Sequence, residues 1–222
     1  LVGAGMLALA LRTPSGGSET AIEGSTTDEL PPAAGQPGQA GFPARFDSLG
    51  MSLGSAEAPV VVREFADYQC PACGSFAPVA RQLREEYVEA GRVRFVLFDF
   101  PLTDLHPNAL VAAQAARCAG GQDGYWAMHD ALFENQAEWS SMADPVPAFA
   151  GYAERIGLNG DVLRNCLETG AELSAVQESA AFARAIGVRS TPTVAVGDQA
   201  LSGVPTYEQM RVRIEAELEE SR

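Results

Sequence analysis

The chain has 222 residues, a formal net charge of −14 at pH 7 and no lysine. The acidic excess leaves no basic patch to neutralise phosphates, so it argues against nucleic-acid binding, and the lack of lysine excludes Schiff-base and lysine-nucleophile chemistry. We interpret the negative charge as a solvated surface rather than as a docking site for a basic partner.

The first 45 residues divide into an apolar run and an irregular, polar segment. Residues 1–12, LVGAGMLALALR, are apolar but fewer than the about 20 residues that span a bilayer. We expect a truncated signal peptide, an N-terminal membrane anchor or the last membrane helix of a larger protein; a short buried helix is the alternative. Residues 13–45 are rich in Gly, Pro, Ser and Thr and show no helical or strand period. They are predicted to form a disordered linker.

A strand–helix–strand unit follows the linker. Residues 58–68 are β-branched, aromatic and nearly all apolar, as in a central strand that is covered on both faces. A helix is predicted over 71–90, with Pro71 at its first position and a kink at Pro78. A second buried strand is predicted over 92–102. This order predicts parallel strands that are joined by a right-handed crossover.

The rest of the chain is predicted to be mostly helical. Helical patterns occur at about 107–119, 124–134, 145–157, 160–168 and 171–186. Residues 191–203 then predict a strand, a Gly-Asp turn and a second strand, and residues 205–220 predict an amphipathic helix. The layout predicts an α/β domain over residues 46–222 with a helical insertion at about 104–187.

Two cysteines three positions apart, in DYQCPACGSF, mark the most informative site. Cys70 precedes the first helical turn, where unpaired N–H groups and the helix dipole favour a thiolate. We therefore assign Cys70 the attacking and leaving role and Cys73 the buried, resolving role. The alternatives are a strained structural disulfide and a zinc site.

A zinc site would need further ligands from Cys118, Cys166, His106 and His129. These residues include no second close pair, so we predict no metal. We interpret both histidines as packing or capping residues.

Glu64 is the candidate proton carrier. It lies in an apolar strand on the same face as the other even-numbered residues, so we expect it to be partly buried, which raises the pKa of a carboxyl group. A carboxyl group beneath a buried thiol can take and return the proton of Cys73. The alternative is an acid at the edge of the strand that faces water.

The even number of cysteines, four, suggests an oxidising compartment. Three pairings are possible. The short spacing favours Cys70 with Cys73, which leaves Cys118 with Cys166 as a structural disulfide between two inserted helices. Two separate buried thiols are the alternative.

Several segments together carry a family resemblance. They are EFADYQCPAC, Pro78 five residues after the second cysteine, RFVLFDFPLTDLHPNALVAAQAARCA, YWAMHDALF and GVRSTPTVAVG. With them, residues 58–222 resemble the thioredoxin superfamily, specifically DsbA-like thiol-disulfide oxidoreductases with a helical insertion. The resemblance implies that Thr191–Pro192 is a cis-proline pair beside the active disulfide and binds substrate with Pro71 and Ala72. The 119 positions from the second cysteine to this proline (192 − 73) fit that branch.

The resemblance implies an extracytoplasmic enzyme, in the periplasm or on the outer face of the cell membrane, that donates its Cys70–Cys73 disulfide to cysteine-containing client proteins. It implies re-oxidation by a membrane quinone-linked partner, and we predict no cofactor. Ala72 stands where the best-known oxidase has His, and Asp67 is an acidic neighbour that opposes a thiolate, so we expect middling oxidising strength. The alternatives are a reductase or isomerase of the same fold and a redox-inert peptide-binding module, the tail domain of a membrane protein.

Overall fold

The computed structural model describes residue 1, residues 42–201 and residues 203–222. The predicted apolar segment 1–12, apart from its first residue, and the predicted linker up to residue 41 lie outside the described residues. Within the described part of the chain, no helix combines the length and the apolar character that crossing a membrane requires.

A five-stranded mixed sheet forms the centre of the domain. Its strands are β1 (Met51–Leu53), β2 (Val60–Ala66), β3 (Val93–Asp99), β4 (Thr193–Val196) and β5 (Gln199–Leu201), in the spatial order β1-β3-β2-β4-β5. β2 and β3 are parallel, as the predicted crossover requires, and the other neighbouring pairs are antiparallel. Both central strands are almost completely buried, which explains their near-continuous apolar sequence.

Helix α1 (Pro71–Leu83) connects β2 to β3 and carries the two cysteines at its start. Its buried face consists of Cys73, Phe76, Ala80 and Leu83. The single helix predicted over 71–90 is wrong in its second half, where the chain widens into a π-helical turn over Arg84–Val88. Gly91, with a φ of 68°, then adopts the left-handed conformation that glycine tolerates best.

The predicted helical insertion lies between β3 and β4. In that part of the chain, which is described throughout, the helices are α2 (Ala109–Gly120), α3 (Tyr125–Glu134), α4 (Gln136–Trp139), α5 (Val146–Arg155), α6 (Gly160–Thr169) and α7 (Leu173–Ala185). The sequence prediction lacks α4, because four residues are too few to show a hydrophobic period. After β5 comes α8 (Tyr207–Glu220), which begins with a capping box of Thr206 and Gln209.

A disulfide joins two of the inserted helices. Cys118 in α2 and Cys166 in α6 are bonded, with their Cα atoms 5.9 Å apart and a sequence separation of 48 residues. This is the pairing that the cysteine spacing favours. The buried face of α2 consists largely of alanine, so its small side chains let neighbouring helices approach closely.

The sequence prediction misses two elements that precede β2. They are a 3₁₀ helix over Ala44–Leu49 and strand β1. The boundary of the predicted linker at residue 45 therefore falls inside a helix. Just before this helix, the ring of Phe42 lies 5.7 Å from the ring of Phe65. Contacts of this kind, with residues distant in sequence, leave no local pattern from which to predict them.

Two hydrophobic cores cover the two faces of the sheet. The first contains Val62 and Ala66 of β2 together with both cysteines of α1. The second contains Phe65 of β2 and Phe98 of β3, whose rings stack with centroids 4.7 Å apart. Because side chains alternate along a strand, Glu64 points with Val62 and Ala66 toward the core that holds the cysteines.

Candidate active site

Cys70 occupies the N-cap position of α1, with the extended backbone (φ −70°, ψ 121°) that precedes a helix. Both Cys70 and Cys73 are free thiols, so the pair is in its reduced form. The pKa of Cys70 is lowered to about 5, chiefly by the hydrogen bond from Cys73 and further by Thr191 and by the backbone N–H groups of Cys73 and Ala72, although burial opposes the shift. Cys70 is therefore a thiolate at neutral pH, the form that attacks disulfides.

Cys73 has the opposite character. Its side chain is completely buried. Burial, and then the hydrogen bond to Cys70, hold the pKa of Cys73 well above its usual value. The backbone N–H of Asp67 donates to Cys73 Sγ across 3.5 Å. Cys70 is 8% exposed and Cys73 is not exposed at all, so an ionised sulfur near the surface lies one helical turn from a protonated, internal one.

The loop before β4 brings Thr191 and Pro192 to Cys70, and the peptide bond between them is cis. Cys70 Sγ lies 3.5 Å from the carbonyl oxygen of Thr191, a residue 121 positions away in the sequence. Oγ1 of Thr191 is buried and has no hydrogen-bond partner at bonding distance among the described residues, so its dipole remains available to a thiolate. Pro192 is buried, whereas Pro71, on the other side of the sulfur, is exposed and Ala72 is half-buried.

Glu64 lies below the cysteine pair and is more deeply buried than predicted. Its side chain has no solvent exposure, and neither carboxyl oxygen has a hydrogen-bond partner among the described residues. Burial raises the pKa of Glu64 to about 8, although the positive charge of Arg84 opposes the shift. The expectation of a partly buried acid is wrong in degree. At pH 7 Glu64 is mainly a neutral carboxylic acid, and once it ionises its negative charge raises the pKa of Cys73 further.

Asp67 links two loops, whereas the sequence suggests that its charge opposes the Cys70 thiolate. Its carboxylate accepts hydrogen bonds from the backbone N–H of Gln69 at 2.7 Å and of Leu102 at 2.8 Å, and Nδ1 of His106 lies 2.8 Å from Oδ2. The carboxylate thus holds the loop after β3 against the loop before Cys70. His106 acts in this link as a structural residue, in keeping with its interpretation from the sequence.

Two tyrosines and a histidine form a buried aromatic cluster behind the cysteines. The hydroxyl groups of Tyr68 and Tyr125 are 3.1 Å apart, and the ring of His129 lies 5.6 Å from that of Tyr68 in an edge-on arrangement. Burial lowers the pKa of His129 to about 4, so its ring is neutral and packs like an aromatic residue. The sequence predicts a packing role for His129. The role of Tyr68 is not predicted, although its position two residues before Cys70 indicates that it lies near the site.

Amide side chains tie the loop before Cys70 to the helical insertion. Oε1 of Gln69 accepts from the backbone N–H of Asn108 at 2.7 Å, and its Nε2 donates to the carbonyl oxygen of Ser140 at 2.8 Å. Nδ2 of Asn108 donates to the carbonyl oxygen of Met142 at 2.9 Å. Sequence reasoning misses these residues because an uncharged amide outside a recognisable motif gives no chemical signal.

A family model described as Thioredoxin matches residues 47–216. The chain belongs to the thioredoxin family. Within this family, Disulfide bond formation protein D of Bacillus subtilis strain 168 is 25% identical over 173 residues, which are 75% of this chain and 76% of that relative. Na(+)/H(+) antiporter NhaA 1 of Salinispora arenicola strain CNS-205 is 37% identical over 161 residues, which are 72% of this chain but only 24% of the antiporter.

Solved structures share this thioredoxin-family fold. Oxidised BdbD from Bacillus subtilis matches with a TM-score of 0.71 at 24% identity, over 85% of this chain and 99% of BdbD. A thioredoxin-like oxidoreductase from Silicibacter pomeroyi DSS-3 matches with a TM-score of 0.62 at 28% identity, over 76% of this chain and 91% of that one. The predicted fold class is confirmed, and so is the recognition of a DsbA-like member of the thioredoxin superfamily.

Proposed function

We propose that this thioredoxin-family protein is an oxidase that introduces disulfides into extracytoplasmic proteins through Cys70 and Cys73. The observation that carries the proposal is the lowered pKa of Cys70, about 5. A stabilised thiolate stabilises the reduced pair, and a pair whose reduced form is stabilised is a stronger oxidant in its disulfide form.

The reaction transfers one disulfide in two exchange steps. A client thiolate attacks Sγ of Cys70 in the Cys70–Cys73 disulfide, which forms a mixed disulfide and releases Cys73 as a thiolate. A second client thiolate then attacks the client sulfur of the mixed disulfide and releases Cys70. The client loses two electrons and the enzyme pair gains them. The client loses two protons at neutral pH. The released Cys73 takes up one of them, whereas Cys70, with a pKa of about 5, stays ionised, so one proton goes to solvent.

Glu64 has a defined part in this scheme. Cys73 is a poor leaving group as long as it departs as a bare thiolate, because its site is fully buried. A carboxylic acid with a pKa of about 8 holds a proton at neutral pH and can give it to the departing sulfur. In the reverse direction, the ionised carboxylate takes the proton from Cys73.

We assign client binding to the surface around Cys70. The residues are Thr191 and Pro192 on one side and Pro71 and Ala72 on the other. Support comes from the 3.5 Å approach of the Thr191 carbonyl oxygen to Cys70 Sγ and from the exposure of Pro71. A peptide that lies across this surface brings its cysteine to the only one of the two sulfurs that solvent reaches.

Re-oxidation by a membrane quinone-linked partner completes the proposed cycle, and it rests on the family resemblance. An extracytoplasmic location fits an oxidase, and the Cys118–Cys166 disulfide supports an oxidising compartment.

A second candidate is a thioredoxin domain that belongs to a larger membrane protein and binds client peptides without net oxidation. The similarity to sodium–proton antiporters favours this candidate, as does the apolar run at residues 1–12. It differs from the first candidate in redox activity, not in fold.

Equilibration of the pair with glutathione buffers, together with oxidation of a reduced dithiol peptide, tests both candidates. We expect a reduction potential above the thioredoxin value of about −270 mV and stoichiometric oxidation of the peptide. A potential at or below that value makes the protein a reductase and overturns the proposal. Peptide binding that persists in Cys70→Ser, without exchange in the natural protein, supports the second candidate instead.

A further inference from the structure

Gln136, the first residue of the short helix α4, contacts the backbone on which Cys70 stands. Its Nε2 donates to the carbonyl oxygen of Cys70 at 2.9 Å and to the carbonyl oxygen of Tyr68 at 2.7 Å. We propose that Gln136 is a positioning residue that fixes the Cys70 thiolate in its reactive geometry from within the helical insertion. The consequence for disulfide exchange rests on the proposed function, whereas the consequence for the Cys70 thiol does not.

The two carbonyl groups belong to the loop that sets the N-cap geometry of α1. The Cys70 carbonyl oxygen also accepts the N–H of Gly74 at 3.1 Å, the first hydrogen bond of the helix. Gln136 therefore adds a second donor to an acceptor that is already part of the helix start. With both carbonyl groups held, the Cys70 side chain is directed toward Thr191, whose carbonyl oxygen lies 3.5 Å from Sγ. The Thr191 side chain and the N–H groups of the first turn stabilise the thiolate.

Gly74 provides the space for this contact. A Cβ atom at position 74 would lie 2.6 Å from Oε1 of Gln136, a distance at which one of the two must move. Glycine has low helix propensity, costing about 1 kcal/mol relative to alanine. Glycine at position 74 is explained by the Gln136 amide, which leaves no room for a Cβ atom there.

Gln136 is itself held in place, as a positioning residue must be. The neighbouring Asn135 donates from Nδ2 to the carbonyl oxygen of Ala131 at 2.7 Å, which fixes the turn between α3 and α4. Trp139, at the other end of α4, is fully buried and donates from Nε1 to the carbonyl oxygen of Leu132 at 2.8 Å. The amide is thus presented by a short helix that is anchored at both ends.

The first test compares Gln136→Ala with Gln122→Ala. Gln122 is a matched control, because its side chain also makes two hydrogen bonds to backbone, both to Asn159 and neither to the loop before α1. Thiolate absorbance of the reduced protein is titrated against pH. We expect the pKa of Cys70 to rise from about 5 by roughly 0.5 or more in Gln136→Ala and to stay unchanged in Gln122→Ala. Equal titrations in both variants overturn the proposal.

The second test approaches the contact from the other side. Gly74→Ala displaces the Gln136 amide while it improves helix propensity, so a rise in the pKa of Cys70 cannot come from a weaker helix. We expect Gly74→Ala to raise this pKa on its own but to add nothing in the Gln136→Ala background. Additive effects of the two substitutions contradict the proposal. Gly74→Ala alone keeps the test decisive if Gln136→Ala folds poorly, because an unchanged pKa of Cys70 in Gly74→Ala then overturns the proposal.

Exchange with a dithiol peptide is measured in the same variants. If the natural protein oxidises no peptide, the proposed function fails, and the thiolate titrations still decide the role of Gln136. If the peptide is oxidised, we expect Gln136→Ala to be slower by about threefold to tenfold, because Cys70 with a raised pKa is a poorer leaving group and its displaced sulfur is less well aligned for attack by the client thiolate.

Discussion

The molecule contains two cysteine pairs that differ in almost every physical respect. Cys70 and Cys73 are free thiols at a helix start, two intervening residues apart, with one sulfur ionised near the surface and the other protonated inside. Cys118 and Cys166 are bonded across two helices, with a sequence separation of 48. Backbone N–H donors near Cys70 favour its thiolate and so make the first pair reactive. The second pair closes a long loop and so stabilises the folded chain.

The largest effect is expected from substitution of the accessible sulfur. Cys70→Ser removes the thiolate that forms the mixed disulfide, so peptide oxidation falls to the uncatalysed rate. Cys73→Ser keeps the Cys70 thiolate, which attacks the disulfide of an oxidised peptide and releases one peptide thiol. Because no Cys73 thiol is present to resolve it, this mixed disulfide accumulates. Mass spectrometry of the quenched reaction measures both outcomes. Residual catalysis in Cys70→Ser would assign the chemistry to another residue.

The second pair is expected to matter for stability rather than for exchange. The double substitution Cys118→Ala/Cys166→Ala releases a long loop in the unfolded chain, so the free energy of unfolding should fall by about 2–4 kcal/mol. Denaturant unfolding followed by circular dichroism measures the loss, with thiol exchange as the control readout. If this double variant loses thiol exchange but keeps its free energy of unfolding, the Cys118–Cys166 pair is not the stabilising pair that we infer.

Glu64→Gln is expected to slow exchange by about tenfold while the fold and the alkylation rate of Cys70 are retained. A glutamine cannot give a proton to the departing Cys73 sulfur or take it back. Stopped-flow measurements from pH 6 to pH 8 test this, with Glu89→Gln on the surface as the matched control. Identical rates in both variants across this range would make Glu64 a structural residue.

The smallest effect is the pH dependence of stability. The pKa of Glu64 is raised in the folded state, from 4.5 to about 8, so its contribution is fully present below pH 4.5 and is lost as the pH rises through about 8. The pKa of Cys70 is lowered, from 9 to about 5, so its contribution is present above pH 9 and is lost as the pH falls through about 5. In the reduced protein these slopes oppose each other between about pH 5 and pH 8.

Cys70→Ser removes one of the two slopes. Its unfolding free energy should fall with rising pH between about pH 6.5 and pH 8, by up to about 1.4 kcal/mol per pH unit. Below about pH 6.5 the lowered pKa of His129 adds an opposite slope. Urea titrations at several pH values measure the slope, and the further substitution Glu64→Gln should abolish it. A flat profile in Cys70→Ser would mean that Glu64 titrates alike in the folded and unfolded chain.

The sequence is sufficient for the fold and for the reactive pair because both have local signatures. The parallel β2–α1–β3 unit follows from two apolar runs and a Pro-started helix, and the reactivity of Cys70 follows from its place at a helix start. The burial of Glu64 is predicted only in part. Alternation along the strand predicts which face of the sheet its side chain lies on, but not that the side chain is completely buried.

What the sequence does not reveal depends on tertiary contacts. Gln136 lies 66 residues from Cys70, on a helix of four residues, and Gln69 and Asn108 meet across 39 residues. Strand β1 is defined by pairing with β3 rather than by its own three residues. Tertiary contacts also explain why the role of Asp67 is predicted wrongly. Its negative charge suggests that it opposes the Cys70 thiolate, but its carboxylate accepts a hydrogen bond from the loop after β3 instead.

The two outer strands of the sheet, β1 and β5, contain three residues each. An exposed strand edge offers unpaired N–H and C=O groups to any extended chain, and long edges lead to unwanted sheet extension and aggregation. The proposed clients are unfolded chains, which present extended segments in abundance. Edges this short offer an extended segment few main-chain hydrogen bonds, which fits the proposed client binding at Cys70 rather than along the sheet.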